Sequence, residues 1–463
     1  MRLQEIIGIV REYFSLALIV VIALVVILLL IYYIIYKFIL KGKKSFSKKR
    51  LLLLVMFSGY VIMVVGVTFL NRGPNYYGGM DFSLFSSYRE AWYSFSVRHW
   101  QFIYLNIFMF IPFGILFPLL QPRFRKAIWT IGVAALCTLS IESLQLITGY
   151  GNFVVDDLFN NLFGAIIGYG ITMGFITIKG KGIKQSFFYF SPLLLVVILS
   201  TSTFSYYHLK EFGNLSILTA NKINMKKVSL ISDVEFNDKI ATSPIYKAPS
   251  YTKVEADAFA NTFYKRIDVD TADIEDISYP DQGIYRSSGE KSYDLWFQFL
   301  DGSYSFTDFS LFDEGIEPED LDEESLKESL VKFGIDIQKD LKFQKVDTGL
   351  YEWIVDKKEI GNQLIDGSLK VTYYNDRTVK EIENQLITYE KVKDVQIKSE
   401  QDAFEEILKG KFQISSENNN IDTLQVHRVR VSYYLDSKGY FQPIYVFQST
   451  LDGSNMTILV PAI

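Results

Sequence analysis

Ile141-Glu142-Ser143-Leu144-Gln145 and, a short way on, Val155-Asp156-Asp157-Leu158-Phe159-Asn160-Asn161-Leu162-Phe163-Gly164 decide how this chain is read. Both strings place acids and amides inside apolar runs long enough to cross a bilayer. An ionisable side chain at the middle of a spanning helix costs about 2.5 to 3.5 kcal/mol on insertion scales, so such a group marks a pathway, a partner or a site. Glu142 is the one formal charge well inside a run, and it carries the functional expectation. Around these strings, a hydrocarbon core of about 30 Å calls for about 20 apolar residues per crossing. Six stretches qualify: residues 14–36, 51–70, 102–120, 127–148, 158–178 and 187–207. The first has no small-residue cleavage site behind it and reads as a permanent helix rather than a removable signal.

The charge divides the chain in two. Residues 1–207 carry 18 Lys+Arg against 7 Asp+Glu, a net of +11, while the remainder holds 29 against 45, a net of −16. Basic residues collect in alternate connections: seven in 37–50, then Arg123, Arg125 and Lys126, then Lys179, Lys181 and Lys184. The positive-inside rule puts all three on the cytoplasmic face, and with them the N-terminus and everything after Tyr207 outside. With the basic clusters at the membrane surface, nothing points to nucleic acid. The single cysteine, Cys137, excludes an intrachain disulfide. Three histidines without ligand spacing argue against a histidine-rich metal centre, and no cofactor is expected.

In this topology the polar residues form a layer. At 1.5 Å per residue, Asn106 lies about 8 Å, Glu142 about 9 Å and Gln145 about 5 Å below the outer ends of their helices. Asp156 and Asp157 open the fifth span, with Asn161 one turn in. Asp157, Asn161, Gly164 and Gly168 recur at helical spacing along one stripe, and the two glycines make a small-xxx-small packing surface. Gly114, between Pro112 and Pro118, permits a kink or close packing. Clustered carboxylates would need a cation, a shared proton or Arg72, at the outer end of the second span.

The acidic part reads as α+β, with two to three small helix-plus-antiparallel-sheet modules. Helices are expected near 253–266, 322–333 and 399–409, each followed by alternating apolar and aromatic runs. Asp301-Gly302, Asp366-Gly367 and Asp452-Gly453 are hairpin signals. Ser399 with Asp402 reads as a helix N-cap, and Gly334 and Gly410 as stops. The expected divisions are 1–50 (first span and basic loop), 51–207 (membrane bundle), 208–320, 321–395 and 396–463. Tyr433, Tyr434, Tyr440, Phe441, Tyr445 and Phe447 read as core and sheet face, and His427 as a solvated strand position.

The ordered set Thr68-Phe69-Leu70-Asn71-Arg72, Asp81-Phe82-Ser83-Leu84-Phe85, Asn106-Ile107-Phe108-Met109-Phe110-Ile111-Pro112-Phe113-Gly114 and the two opening strings resembles the VanZ-like family over about residues 51–178. Where relatives often carry Arg and a further Asp before the paired acids, this chain has Gly151 and Val154. The resemblance implies a bacterial integral membrane protein tied to resistance to teicoplanin-type lipoglycopeptides, with Glu142, Gln145, Asp156, Asp157 and Asn161 as its functional polar set. Residues 398–410 with 431–447 resemble the extracytoplasmic modules of YycH/YycI-type regulators and PepSY-like domains, which bind or sense. The leading expectation is a non-enzymatic cell-envelope protein that recognises an amphipathic ligand, a lipoglycopeptide or lipid-linked cell-wall precursor, at the outer leaflet of the lipid bilayer. One alternative is a membrane enzyme acting on a lipid-linked cell-wall intermediate, with Glu142 as general base and Asp156 and Asp157 holding a divalent cation. Another is a membrane-anchored regulator with an envelope protein partner.

Overall fold

A computed structural model describes residues 48–70, 79–217, 223–288, 292–337, 341–413 and 421–463. The chain forms two compact units, one of residues up to Ala91 with Arg98–Glu211, the other of Trp92–Val97 with Phe212–Ile463. The first unit is helical. Among the described residues, five helical stretches are long and apolar enough to cross a membrane: Lys48–Phe69, Val97–Leu120, Ala127–Thr148, Val155–Gly180 and Ile183–Leu209. They fall on five of the six expected spans, and the sixth, 14–36, lies outside the described residues, as does Arg72. Many large apolar side chains face outward from them, among them Phe108, Leu136, Ile147 and Phe188. That is the inverse of a soluble protein's surface and what lipid requires.

We label the helices of this unit α1 (Lys48–Val65), α2 (Ser86–Ser94), α3 (Val97–Leu120), α4 (Ala127–Thr148), α5 (Val155–Lys181) and α6 (Ile183–Leu209). α1 runs on into a π-helical turn, Gly66–Leu70. α4 stops at Gly149, whose left-handed backbone (φ 71°) turns its N–H back onto the Gln145 and Leu146 carbonyls. Two short strands, β1 (Met80–Asp81) and β2 (Phe153–Val154), pair in parallel and join the segment before α2 to the one before α5.

α5 is the central helix, and glycine makes it so. A methyl group added at Gly164 or Gly168 would collide with the carbonyl oxygens of Ile107 and Ile111, and one at Gly114 with that of Ala165. α3 and α5 therefore touch backbone to backbone. Without a hydrophobic driving force between helices in lipid, such close approach is a main source of association. On its other side α5 repeats the device: Gly170 abuts the Tyr189 carbonyl and Gly174 the Phe190 ring, both on α6. Thr172 and Tyr169 then tie α5 to the Ile115 and Arg125 carbonyls at 3.0 and 2.7 Å.

The second unit is sheet-rich. Among the described residues, fourteen strands between Ser229 and Pro461 join in one hydrogen-bonded sheet. Helices α7 (Lys253–Arg266), α8 (Glu323–Val331) and α9 (Glu400–Leu408) pack on it. They lie where the sequence places helices. Ser399 and Asp402 form a reciprocal capping box, and Gly334 and Gly410 end their helices with positive φ. Residues from both sides of the expected 320/321 boundary share the larger core, around Phe263, Trp353, Leu326 and Leu369. A second core gathers Phe404, Ile407, Phe412, Phe447 and Ile458. The strand at 241–247 pairs with both 387–397 and 440–441, and so links sequence-distant segments.

Two of the three hairpin signals sit at hairpins, and one needs correcting. Asp452-Gly453 joins adjacent strands with both residues at positive φ, as a type I′ turn demands, and Asp301-Gly302 lies between paired strands. Asp366-Gly367 lies within the strand Gln363–Tyr373. There Gly367 (φ 114°) sits where that strand changes partner, from 387–390 before it to 379–384 after it. The expected turn is instead made by Gly361 and Asn362. Glycine supplied the positive φ, but for a partner change rather than a reversal.

Lys380 is 1% exposed, with Nζ 2.7 Å from Asp376, 3.5 Å from Asp308 and 2.8 Å from the Ser310 hydroxyl. Removing one member of a buried pair strands the other's charge, at a cost of about 3–5 kcal/mol. Lys380→Met should therefore lower the urea midpoint of the sheet-rich unit sharply; an unchanged midpoint would show that the pair is dispensable. In the helical unit, Gly164→Ala should cost about 1–3 kcal/mol by overpacking. Gly132→Ala, which meets nothing within 4 Å, should be neutral or stabilising. Thermal unfolding in detergent separates the two.

Candidate functional site

The first two turns of α5 are a polar hub in which two pairs of polar residues, Asp156 with Asp157 and Asn160 with Asn161, reach three different neighbours. Asp156 is fully buried. Its carboxylate accepts hydrogen bonds from the Phe85 amide at 2.5 Å and the Ser87 amide at 2.8 Å, with the Ser86 hydroxyl at 3.4 Å. It thus caps α2 from another helix, satisfying N–H groups that a helix start leaves without partners and opposing the positive end of the helix dipole. Asp157 accepts from the Asn106 amide on α3. Asn160 accepts from the Tyr88 hydroxyl on α2, and Asn161 donates to Thr138 on α4 at 2.9 Å.

Glu142 lies one turn beyond Thr138 on α4 and is 3% exposed. Gln145 donates to the Thr68 carbonyl at 3.1 Å, in the π turn that ends α1. A π turn places carbonyls outside the regular helical ladder, and the Gln145 amide takes up one of them. Of the expected residues, the structure brings Asn106 onto Asp157, sets Asn161 one turn from Glu142 along α4, and sends Asp156 and Gln145 to backbone partners. Gly114, Gly164 and Gly168 bring α3 and α5 into contact just below the hub. The paired acids turn to different partners. Among the described residues no group of three or more His, Cys, Asp and Glu side chains is arranged to hold a metal ion.

Two features stand out chemically. Asn160 and Asn161 are each 1% exposed, yet the Asn160 amide nitrogen and the Asn161 carbonyl oxygen have no hydrogen-bond partner among the described residues. They leave one donor and one acceptor on consecutive residues of a membrane helix, the first on the side chain that reaches α2 and the second on the one that reaches α4, where each unmade bond costs about 1–3 kcal/mol. Above the hub, Asp81 accepts from the Ser86 hydroxyl at 2.6 Å and the Ser83 amide at 2.8 Å. Burial pushes the Asp81 carboxyl up, but the Ser86 and Ser83 hydrogen bonds and the nearby Arg89 charge outweigh it and hold the group below its ordinary value. Burial raises the Tyr88 phenol, and the Asp156 charge adds to that, so Tyr88 stays a hydrogen-bond donor.

Sequence reasoning did not single out Asn160, Tyr88, Thr138 or Thr68. Asn160 stood inside the decisive string with the same side chain as its neighbour and could have been found there. Thr68 likewise stood at the head of a quoted string, while Tyr88 and Thr138 have no local signature. Gly151 and Val154, the two departures from the resembled pattern, belong to the turn and strand leading into α5. Val154 pairs with Asp81.

Five spans tied by buried polar contacts and glycine-mediated close packing define a multi-pass helical membrane protein. Residues 22–177 match the family model VanZ/LLP1, so the membrane part of the chain is similar to that family. A search of curated proteins finds no match.

Asp156→Ala would leave the Phe85 and Ser87 amides without their acceptor, a loss of about 1–3 kcal/mol. Hydrogen exchange should accelerate at those two amides while the centre of α3 stays protected; unchanged exchange would contradict the capping role. Because the Asp81 carboxyl is held down in the folded chain, its stabilisation is present above its ordinary value of 3.8 and is lost as pH falls through the depressed value. Exchange in residues 81–89 should therefore rise below that pH, and Asp81→Asn should remove the dependence.

Proposed function

We propose that this is a VanZ-like cell-envelope protein that contributes to resistance to teicoplanin-type lipoglycopeptides. In this reading it holds the polar head of an amphipathic ligand at the α4–α5 hub while the ligand's tail lies along lipid-facing spans. The observation that carries the reading is the buried, unmatched donor on Asn160, whose side chain reaches α2, and the buried, unmatched acceptor on Asn161, whose side chain reaches α4 one turn from Glu142. A donor and an acceptor of this kind match an amide, hydroxyl or sugar group, and neither atom has a partner among the described residues, whereas Asp156 and Gln145 are committed to backbone. The positive-inside pattern supports an outer-leaflet location, with the N-terminus and the sheet-rich region extracytoplasmic. The latter would be a binding or sensing module akin to YycH/YycI-type and PepSY-like domains.

The membrane-enzyme alternative has less support. Asp156 and Asp157 engage different partners, and the cation that reading needs would have to displace the α2 cap.

The test is lipoglycopeptide susceptibility in a sensitive Gram-positive host expressing the intact chain or its Glu142→Gln variant at matched levels. The reading predicts protection by the intact chain and its loss in the variant. No protection from the intact chain, or equal protection from both, would overturn it.

A further inference from the structure

The segment leading into α2 exposes four large apolar side chains in six positions: Met80 (60%), Phe82 (67%), Leu84 (45%) and Phe85 (41%). An aqueous loop would be expected to bury or replace them. Its position is fixed by the membrane helices themselves. Met80 and Asp81 are paired with Phe153 and Val154, and α5 begins at the next residue, Val155. The Phe82 ring is 5.8 Å from Phe153, and the Phe85 ring is 5.2 Å, edge-on, from Phe159. Phe159 is four residues into α5, so Phe85 sits about 6 Å below the start of that helix. The loop dips beside the span rather than standing off it.

We propose that Met80–Phe85 is a wedge inserted into the bilayer interface, in the leaflet that receives the first turns of α5, with lipid covering its apolar side chains. Non-helical backbone at that depth must have its polar groups satisfied within the protein, and here four amides are. The Ser83 amide bonds to Asp81, the Phe85 and Ser87 amides to Asp156, and the Ser86 amide to the Ser83 carbonyl. The acid within the segment, Asp81, turns its carboxylate inward onto Ser83 and Ser86. Phe85 holds a left-handed backbone (φ 64°), a conformation unfavourable for a residue with a Cβ. The fold thus sustains local strain to keep an aromatic ring against the span. Aromatic side chains at this level are the usual anchors of membrane proteins at the interface.

The full chain, with Cys137→Ser to remove the native thiol, is reconstituted in phosphatidylcholine/phosphatidylglycerol vesicles. Phe82→Cys carries an environment-sensitive fluorophore, and Val254→Cys, 76% exposed in the sheet-rich unit, is the aqueous reference. The wedge predicts blue-shifted emission at position 82, quenching by doxyl-labelled phosphatidylcholine and loss of quenching by iodide, with the reverse at 254. Met80→Cys should repeat the result, and it serves if the Phe82 variant does not fold. Iodide quenching at 82 equal to that at 254 overturns the proposal. Protection that disappears as the protein is diluted in lipid overturns it too, because a second copy would then be the cover.

Discussion

A polar group inside a membrane has no water to return to, and the start of α5 is where this chain meets that constraint. Asp156, Asp157, Asn160 and Asn161 carry enough hydrogen-bonding capacity to disrupt a lone helix in hydrocarbon. Distributed over α2, α3 and α4, the same capacity becomes the tie that orients three neighbours around one helix. The glycines below complete the arrangement, because close approach of α3 and α5 is what brings Asn106 within reach of Asp157. A side chain at Gly164 would separate the backbones and pull that contact apart. Packing and polarity are thus coupled along the same helix.

The hub is unevenly committed, and that unevenness separates structure from function. Asp156 is spent on backbone amides, and Gln145 on the Thr68 carbonyl. Both hold elements in place, and neither has the freedom to receive a ligand. Asn160 and Asn161 each give half of their capacity to a neighbour and keep half. Amides suit that dual use, since each offers a donor and an acceptor on one side chain. The paired acids, which look like a cation site in one dimension, diverge because successive positions on a helix point about 100° apart.

Five of the six expected spans were legible because an apolar run of the right length has one stable solution in lipid. The identities of the polar residues were legible for the same reason, as exceptions inside those runs. Their partners were not. Asp156 bonds to main-chain amides some 70 residues away, which leave no side-chain signature, Thr138 reads as an ordinary helix residue, and Gln145 bonds to Thr68 through its main-chain carbonyl. In the sheet-rich unit, local signals such as the Ser399–Asp402 box and the Asp452-Gly453 turn could be read, because their physics is confined to a few residues. The pairing of 241–247 with 387–397 could not, since it depends on contacts between distant segments. Asp366-Gly367 shows the limit of local reading: a positive φ is required there, but the need comes from a strand changing partners.

The central claim is that the unmatched amide groups of Asn160 and Asn161 receive the polar head of an amphipathic ligand. Its most direct test is equilibrium binding of a fluorescently labelled teicoplanin-type lipoglycopeptide to the full chain in nanodiscs, compared with Asn160→Leu and the packing-neutral Gly132→Ala. Loss of one buried hydrogen bond to ligand should weaken binding about tenfold in Asn160→Leu and leave Gly132→Ala unchanged. Equal affinity for all three, or no binding above empty nanodiscs, would contradict the account.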